Sequence, residues 1–305
     1  MKIAIVGAGA VGSYYGALLG IAGHSVTMIG RAPQVAAMAE HGLILQTAEA
    51  VHTVRVIAST DPGAVQGAEV VLFCVKSDDT IAAGEETASF CPRNAAILSL
   101  QNGVDNAERL EAVLGRPVIA AAVYVAADLT APGRVKHHGR GELVIGDDPA
   151  SPLIARVFGH AGIPIEISRN VKSALWTKLI TNCAYNALCA IADLPYGRMI
   201  EIDGVRDVMT DIVSECLAVA QALKVELPTG ILDSVLGLAS TMPEQYSSTA
   251  RDLQRGKRSE IEHLNGYVVR AAERLGIGAP TNRLLLVSIR LLEASRLASA
   301  ARHRA

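Results

Sequence analysis

The chain has 305 residues, of which half are hydrophobic and 4% aromatic, and its 28 Lys plus Arg against 30 Asp plus Glu give a formal charge of −2. That length suggests two domains of about 150 residues each, and so much apolar material excludes an intrinsically disordered chain. The near-neutral balance, with no basic run, argues against a nucleic-acid partner.

In chain order, a short apolar strand is predicted at 2–6, a helix at 10–22 and a second strand at 25–29. Residues 43–46 and 53–57 read as a small hairpin, and the continuous apolar run at 69–75 as a strand buried on both faces. A helix at 78–90, a strand at 95–100, a helix after Val104 and a strand at 118–127 follow. Residues 133–137 and 141–145 are expected to pair as a hairpin around Gly139, and a strand at 163–167 ends the series. Alternating strands and helices imply a doubly wound parallel sheet. Beyond about Val171 only helical periodicity remains, at 173–191, 205–223, 229–240, 243–255, 257–275 and 282–300. The predicted architecture is α/β: a Rossmann-type doubly wound sheet over 1–169, then an all-helical domain over 170–305, with 301–305 frayed. Apolar helices such as 205–223 would serve either the core or a homodimer interface.

Residues 3–23 carry no charge and follow Lys2, which mimics a signal peptide or membrane anchor. Six glycines interrupt the run, so it reads as strand, turn and helix, and the expected protein is cytoplasmic with no membrane partner. Five widely spaced cysteines without a C-x-x-C fit neither a disulfide framework nor a zinc site. The histidines are scattered, and no metal is expected.

Gly7-Ala8-Gly9-Ala10-Val11-Gly12 is a G-x-G-x-x-G between a predicted strand and a predicted helix. Gly7 allows the tight turn, Gly9 lets a pyrophosphate approach the backbone, and Gly12 permits close helix–strand packing. An NAD-specific site would carry Asp or Glu at the end of the second strand. Here Gly30-Arg31-Ala32 stands there, and a guanidinium suits a ribose 2′-phosphate, so the expected cofactor is NADPH/NADP+. Lys76 and Asn102 follow two further strands, where ligands of open α/β sheets bind.

In the second half, Lys178, Asn182 and Asn186 are spaced i, i+4, i+8 and line one face of an otherwise apolar helix. Such groups need partners, because burying them unpaired is costly. Glu260, at the edge of the apolar stripe of the 257–275 helix, is a candidate counterpart, although spacing does not separate it from a solvated carboxylate. Ser247 and Ser248 read as ordinary helix or cap residues.

With these residues in view, the chain resembles the ketopantoate reductase family over nearly its whole length. The resemblance rests on the glycine fingerprint, Arg31, Val75-Lys76, Gln101-Asn102-Gly103 and Gly133-Arg134-Val135 with Gly139-Arg140-Gly141. It continues in Trp176-x-Lys178-x3-Asn182-x3-Asn186 and in Ser248…Asp252…Glu260-Ile261…Asn265-Gly266. It implies that Lys178 protonates the substrate carbonyl oxygen as hydride arrives from NADPH, and that Glu260 pairs with lysine and substrate. It implies further that Asn102, Asn182, Asn186 and Ser248 hold substrate, and that Lys76 and Asn102 line the cofactor crevice. The reaction implied is reduction of the 2-keto group of ketopantoate (2-dehydropantoate) to pantoate, on the route to pantothenate and coenzyme A. Where the family pattern has Asn three residues before the serine, this chain has Gln245. A reductase of another 2-keto acid, or a nucleotide-binding sensor without chemistry, are the alternatives; a sensor has no need of the Lys178 stripe.

Overall fold

The computed structural model describes the backbone of residues 1–302 and the side chains of residues 1–296. The chain separates into two compact units, the first spanning Met1–Val171 and the second starting at Lys172.

The first unit runs β1 (Lys2–Val6), α1 (Ala10–Ile21), β2 (Ser25–Ile29), α2 (Ala32–His41), β3 (Leu43–Gln46), β4 (Val51–Val54) and β5 (Ile57–Ser59). It continues through β6 (Val70–Phe73), α3 (Thr80–Ala88), β7 (Ala96–Ser99), α4 (Asn106–Leu114), β8 (Ile119–Ala131), β9 (Arg134–Gly146), α5 (Ser151–His160) and β10 (Ile165–Ser168). The described strands form a ten-stranded sheet. Its order β5-β2-β1-β6-β7-β8 is parallel throughout, the winding of a dinucleotide-binding domain. Side chains alternate between the two faces with a period of two. Ile3 and Ile5 of β1 and Val70 and Leu72 of β6 join one apolar cluster, while Ala4, Val6, Val71 and Phe73 join another. A sheet covered on both faces explains why β6 is an unbroken apolar run.

Four readings of local pattern are corrected. Residues 133–146 are not a hairpin around Gly139 but one strand, β9, paired antiparallel to β8 across the turn at Pro132-Gly133. Gly139, Arg140 and Gly141 all have positive φ (148°, 61° and 141°). They absorb register shifts, because Val125 faces Arg140 whereas Tyr124 faces Glu142, so Gly141 has no opposite residue. A Cβ at Gly141 would strike the Tyr14 hydroxyl, so the bulge and the close approach of α1 select the same glycine. Second, β4 ends at Val54, and Ile57–Ser59 is a separate strand parallel to β2. Val54-Arg55-Val56 alternates across the end of β4, so the pattern cannot show where the chain changes partner. Helices α2 and α5 had no sequence reading.

In the second unit the chain forms α6 (Val171–Ala192, whose first residue closes the first unit), α7 (Tyr196–Ile200), α8 (Val205–Ala222), α9 (Ile231–Thr241) and α10 (Ser248–Gln254). It ends with α11 (Asn265–Leu275) and α12 (Pro280–Arg302), and no strand occurs here among the described residues. Of the terminus expected to fray, residues 301–302 extend α12 and 303–305 lie outside the described residues. The third correction is here: the predicted 257–275 helix is interrupted. Glu260 stands at the start of a 3-10 turn, Ile261–His263, and Leu264 (φ −108°, ψ −104°) breaks the chain before α11. Apolar residues at 261, 264 and 268 suit a turn followed by a helix as well as one continuous helix. Likewise α10 is shorter than predicted, because Ser247 caps it, accepting the Ala250 N–H at 3.0 Å.

Helix α6 is buried around most of its girth. Trp176 is fully buried and meets Tyr267 of α11 edge-on at 5.9 Å. Tyr185 donates to the Val235 carbonyl at 2.8 Å, and its ring lies 4.4 Å from that of Tyr196, tilted by 46°. The apolar face of α8, from Met209 to Ala220, lies in the core. No described helix is long and apolar enough to cross a membrane.

Candidate active site

In the first unit the glycine loop joins β1 to α1. Gly7 has φ +111°, and a Cβ on it would sit 2.5 Å from the Val75 nitrogen, so glycine is obligatory. A Cβ on Gly12 would collide with the Gly7 carbonyl oxygen. Gly9 differs: its φ is −81°, and a Cβ there would meet nothing within 4 Å. Neither conformation nor packing within the chain demands glycine at that position. Its small size leaves the backbone open at the start of α1, where no side chain caps the first turn and the helix dipole is positive. This cradle fits a dinucleotide pyrophosphate.

At the end of β2, a Cβ on Gly30 would press to 2.6 Å from the Ala8 Cβ, which fixes the strand end against the glycine loop. Arg31 follows as the N-cap of α2, with its side chain 85% exposed. Its Nη2 lies 3.3 Å from Oδ2 of Asp79, in the turn after β6.

Lys76, half-buried, opens that same 3-10 turn, Ser77–Asp79. Asn102 follows β7, and a buried polar network ties its loop to the Lys76 turn. Ser77 Oγ and Asn106 Nδ2 donate to the Asn102 carbonyl at 2.7 and 2.6 Å, and Asn106 Nδ2 also reaches Ser77 Oγ at 3.1 Å. Arg109 donates to the Ser77 carbonyl at 2.9 Å, and Thr80 Oγ1 to Asn106 Oδ1 at 2.9 Å. Gln101, beside Asn102 in the family motif, is buried and structural: its Nε2 donates to Thr80 Oγ1 at 2.7 Å and to the Val75 carbonyl at 3.2 Å. Asn106 and Thr80 were missed. Their signal was polarity inside helices whose other inward residues are small or apolar.

In the second unit, α6 carries Lys178, Asn182 and Asn186 on successive turns, the first two half-buried and Asn186 only 2% exposed. Asn186 Nδ2 approaches the exposed Ser248 Oγ at 3.4 Å, so these two predicted residues come together. Ser247 makes the joint: its Oγ donates to the Asn186 carbonyl at 3.0 Å and its N–H to Cys189 Sγ at 3.2 Å. Gln245 turns its side-chain amide onto the Tyr246 carbonyl at 2.7 Å. Glu260, half-buried, precedes a segment held against α6, since Asn265 Nδ2 donates to the Cys183 carbonyl at 3.2 Å. Asn265 also meets Asn282 at 3.0 Å, which in turn donates to Glu215 at 2.8 Å. This buried relay between α6, α8, α11 and α12 was not legible in the sequence.

The family model described as ketopantoate reductase PanE/ApbA matches residues 3–150, and that described as its C-terminal part matches residues 170–293. A 2-dehydropantoate 2-reductase of Halobacterium salinarum is 31% identical over 301 residues, covering 96% of this chain and 99% of its own. The chain belongs to the ketopantoate reductase family. It is similar in structure to a PanE/ApbA family ketopantoate reductase from Ralstonia eutropha, at 52% identity and a TM-score of 0.95, over 97% of this chain and 100% of that one. A D-mandelate dehydrogenase in a ternary structure with NADH and anilino(oxo)acetate is 24% identical with a TM-score of 0.90, over 97% and 99% of the two chains, and shares the fold. As a member of this family the chain is an NAD(P)-dependent oxidoreductase.

Proposed function

We propose that this oxidoreductase reduces the 2-keto group of 2-dehydropantoate to the hydroxyl of pantoate, with NADPH as the cofactor. The observation that carries the reading is the stripe on α6: a lysine and two asparagines in register on a helix otherwise committed to the core. Gly7, Gly9 and Gly12 would cradle the pyrophosphate, Arg31 would pair with the 2′-phosphate, and Lys76 and Asn102 would line the crevice beside them. The cofactor supplies hydride to the keto carbon. Negative charge then builds on the carbonyl oxygen, and the Lys178 ammonium stabilises it and donates a proton from Nζ. Glu260 orients Lys178 and substrate, while Asn102, Asn182, Asn186 and Ser248 hold the substrate by hydrogen bonds. The protein is read as cytoplasmic. A homodimer would cover Leu284, Val287 and Leu291, which stand exposed along α12.

The test is NADPH consumption with ketopantoate beside other 2-keto acids, in the wild type and Lys178→Ala. Removing the acid should cut kcat by about 10²–10⁴-fold while NADPH affinity stays within about twofold. Loss of NADPH affinity instead would remove Lys178 from the chemistry. Turnover of a different 2-keto acid alone would keep the mechanism and discard the substrate.

A further inference from the structure

The Arg31–Asp79 pair adds something to the cofactor reading that no feature of the glycine loop supplies. In the sheet β1 lies between β2 and β6, so a contact from the second residue after β2 to the turn after β6 crosses the end of β1, where the glycine loop begins. Arg31 is 85% exposed, and the carboxylate beside its guanidinium is that of Asp79, 48 residues away in sequence. The backbone of Asp79 is itself held, because its N–H donates to the Lys76 carbonyl at 2.9 Å and it precedes α3 directly. Lys76, read as lining the cofactor crevice, therefore shares its turn with an acid that contacts Arg31, the cation read as the 2′-phosphate ligand.

We infer that Asp79 is a second determinant of cofactor preference, acting through Arg31. Its carboxylate orients the guanidinium across the glycine loop and is also the anion that a 2′-phosphate must displace. A phosphate near a carboxylate is opposed by like charge, whereas a ribose 2′-hydroxyl is not. Asp79 thus limits how strongly the enzyme favours the 2′-phosphorylated cofactor, and its removal sharpens that choice. The inference rests on the reading of Arg31 as the 2′-phosphate ligand.

Isothermal titration of the full-length protein with 2′,5′-ADP and with ADP isolates this group without turnover. In Asp79→Asn the expected result is 2′,5′-ADP bound about three- to tenfold more tightly, with ADP within about twofold of wild type. The gain should shrink at high salt. Unchanged or weaker 2′,5′-ADP binding overturns the inference, and so does an equal gain for both nucleotides, which would be a general charge effect. Arg31→Gln separates the underlying reading: if it leaves the ratio of 2′,5′-ADP to ADP affinity unaltered, Arg31 is not the phosphate ligand, whatever Asp79→Asn does. If Arg31→Gln abolishes the ratio while Asp79→Asn leaves it unchanged, the reading of Arg31 stands and the inference alone fails.

Discussion

The glycines of the fingerprint do different work, and the distinction is physical. Gly12 is glycine because a neighbouring carbonyl occupies the space of a side chain, whereas Gly9 has open space around it and an ordinary φ. Gly12→Ala should therefore cost stability, about 1–3 kcal/mol by overpacking. Gly9→Ala should leave the unfolding midpoint of the protein unchanged and weaken NADP+ binding at least about tenfold. Paired denaturant melts and cofactor titrations decide this, and equal loss of stability in both variants would show that Gly9 serves the fold. Tyr15 illustrates the opposite case of a polar residue enlisted for structure. Its hydroxyl donates to the Gly141 carbonyl at 3.2 Å, and burial pushes its phenol well above the ordinary value, so it remains a neutral donor at any working pH.

At the scale of elements, the ends of β6 and β7 are joined by side chains rather than by the sheet itself. Asn106 is the hub, touching Ser77, Thr80, Arg109 and the Asn102 carbonyl, and it is 3% exposed. Removing it takes a hydrogen bond from each of these four groups, among them the one that the buried Thr80 hydroxyl donates, which costs about 1–3 kcal/mol. Asn106→Ala should lower stability by that amount and raise the KM for NADPH more than it lowers kcat, because the turn carrying Lys76 loses its tie to the Asn102 loop. Steady-state kinetics at saturating 2-keto acid test it, and a fall in kcat alone would place the network elsewhere in the cycle. The Ser247 cap has the same character in the second unit, since one hydroxyl starts α10 and grips α6 at Asn186. The substrate-holding role proposed for Ser248 depends on that neighbour for its position.

For the molecule as a whole, the two compact units carry different parts of the proposed machinery: the nucleotide residues lie before Val171, and the α6 stripe, Ser248 and Glu260 lie after Lys172. A chain of two units need not unfold in one step, so the effect of a ligand is best read segment by segment. Hydrogen exchange with NADP+ at a hundredfold excess over Kd should slow the amides around Gly9–Ser13 and Ser77–Thr80, with up to about 2.7 kcal/mol of added protection. Protection confined to the second unit would contradict the assignment of the glycine cradle.

Much was determined by the sequence alone, wherever the cause is local. Short apolar runs bounded by turn residues placed β1, β2, β6 and β7, helical periodicity placed α6, α8 and α12, and the i, i+4, i+8 spacing put Lys178, Asn182 and Asn186 on one face. The glycine fingerprint was legible because each of its steric demands is met within a few residues of chain or by a strand it always adjoins. Tertiary structure decided the rest, where the partner is distant in sequence. Gly139 and Gly141 could mark a turn or a bulge, and only the register with β8 makes them a bulge. Glu260 could continue a helix or precede a turn, and the packing of Asn265 against α6 goes with the turn. Arg31 is a solvent-exposed side chain in the structure as well, and what the strand order adds is the Asp79 carboxylate 3.3 Å from its guanidinium. Hydrophobic pattern encodes which face of an element is buried, but not which neighbour buries it, and side-chain hydrogen bonds between distant residues leave no periodicity at all.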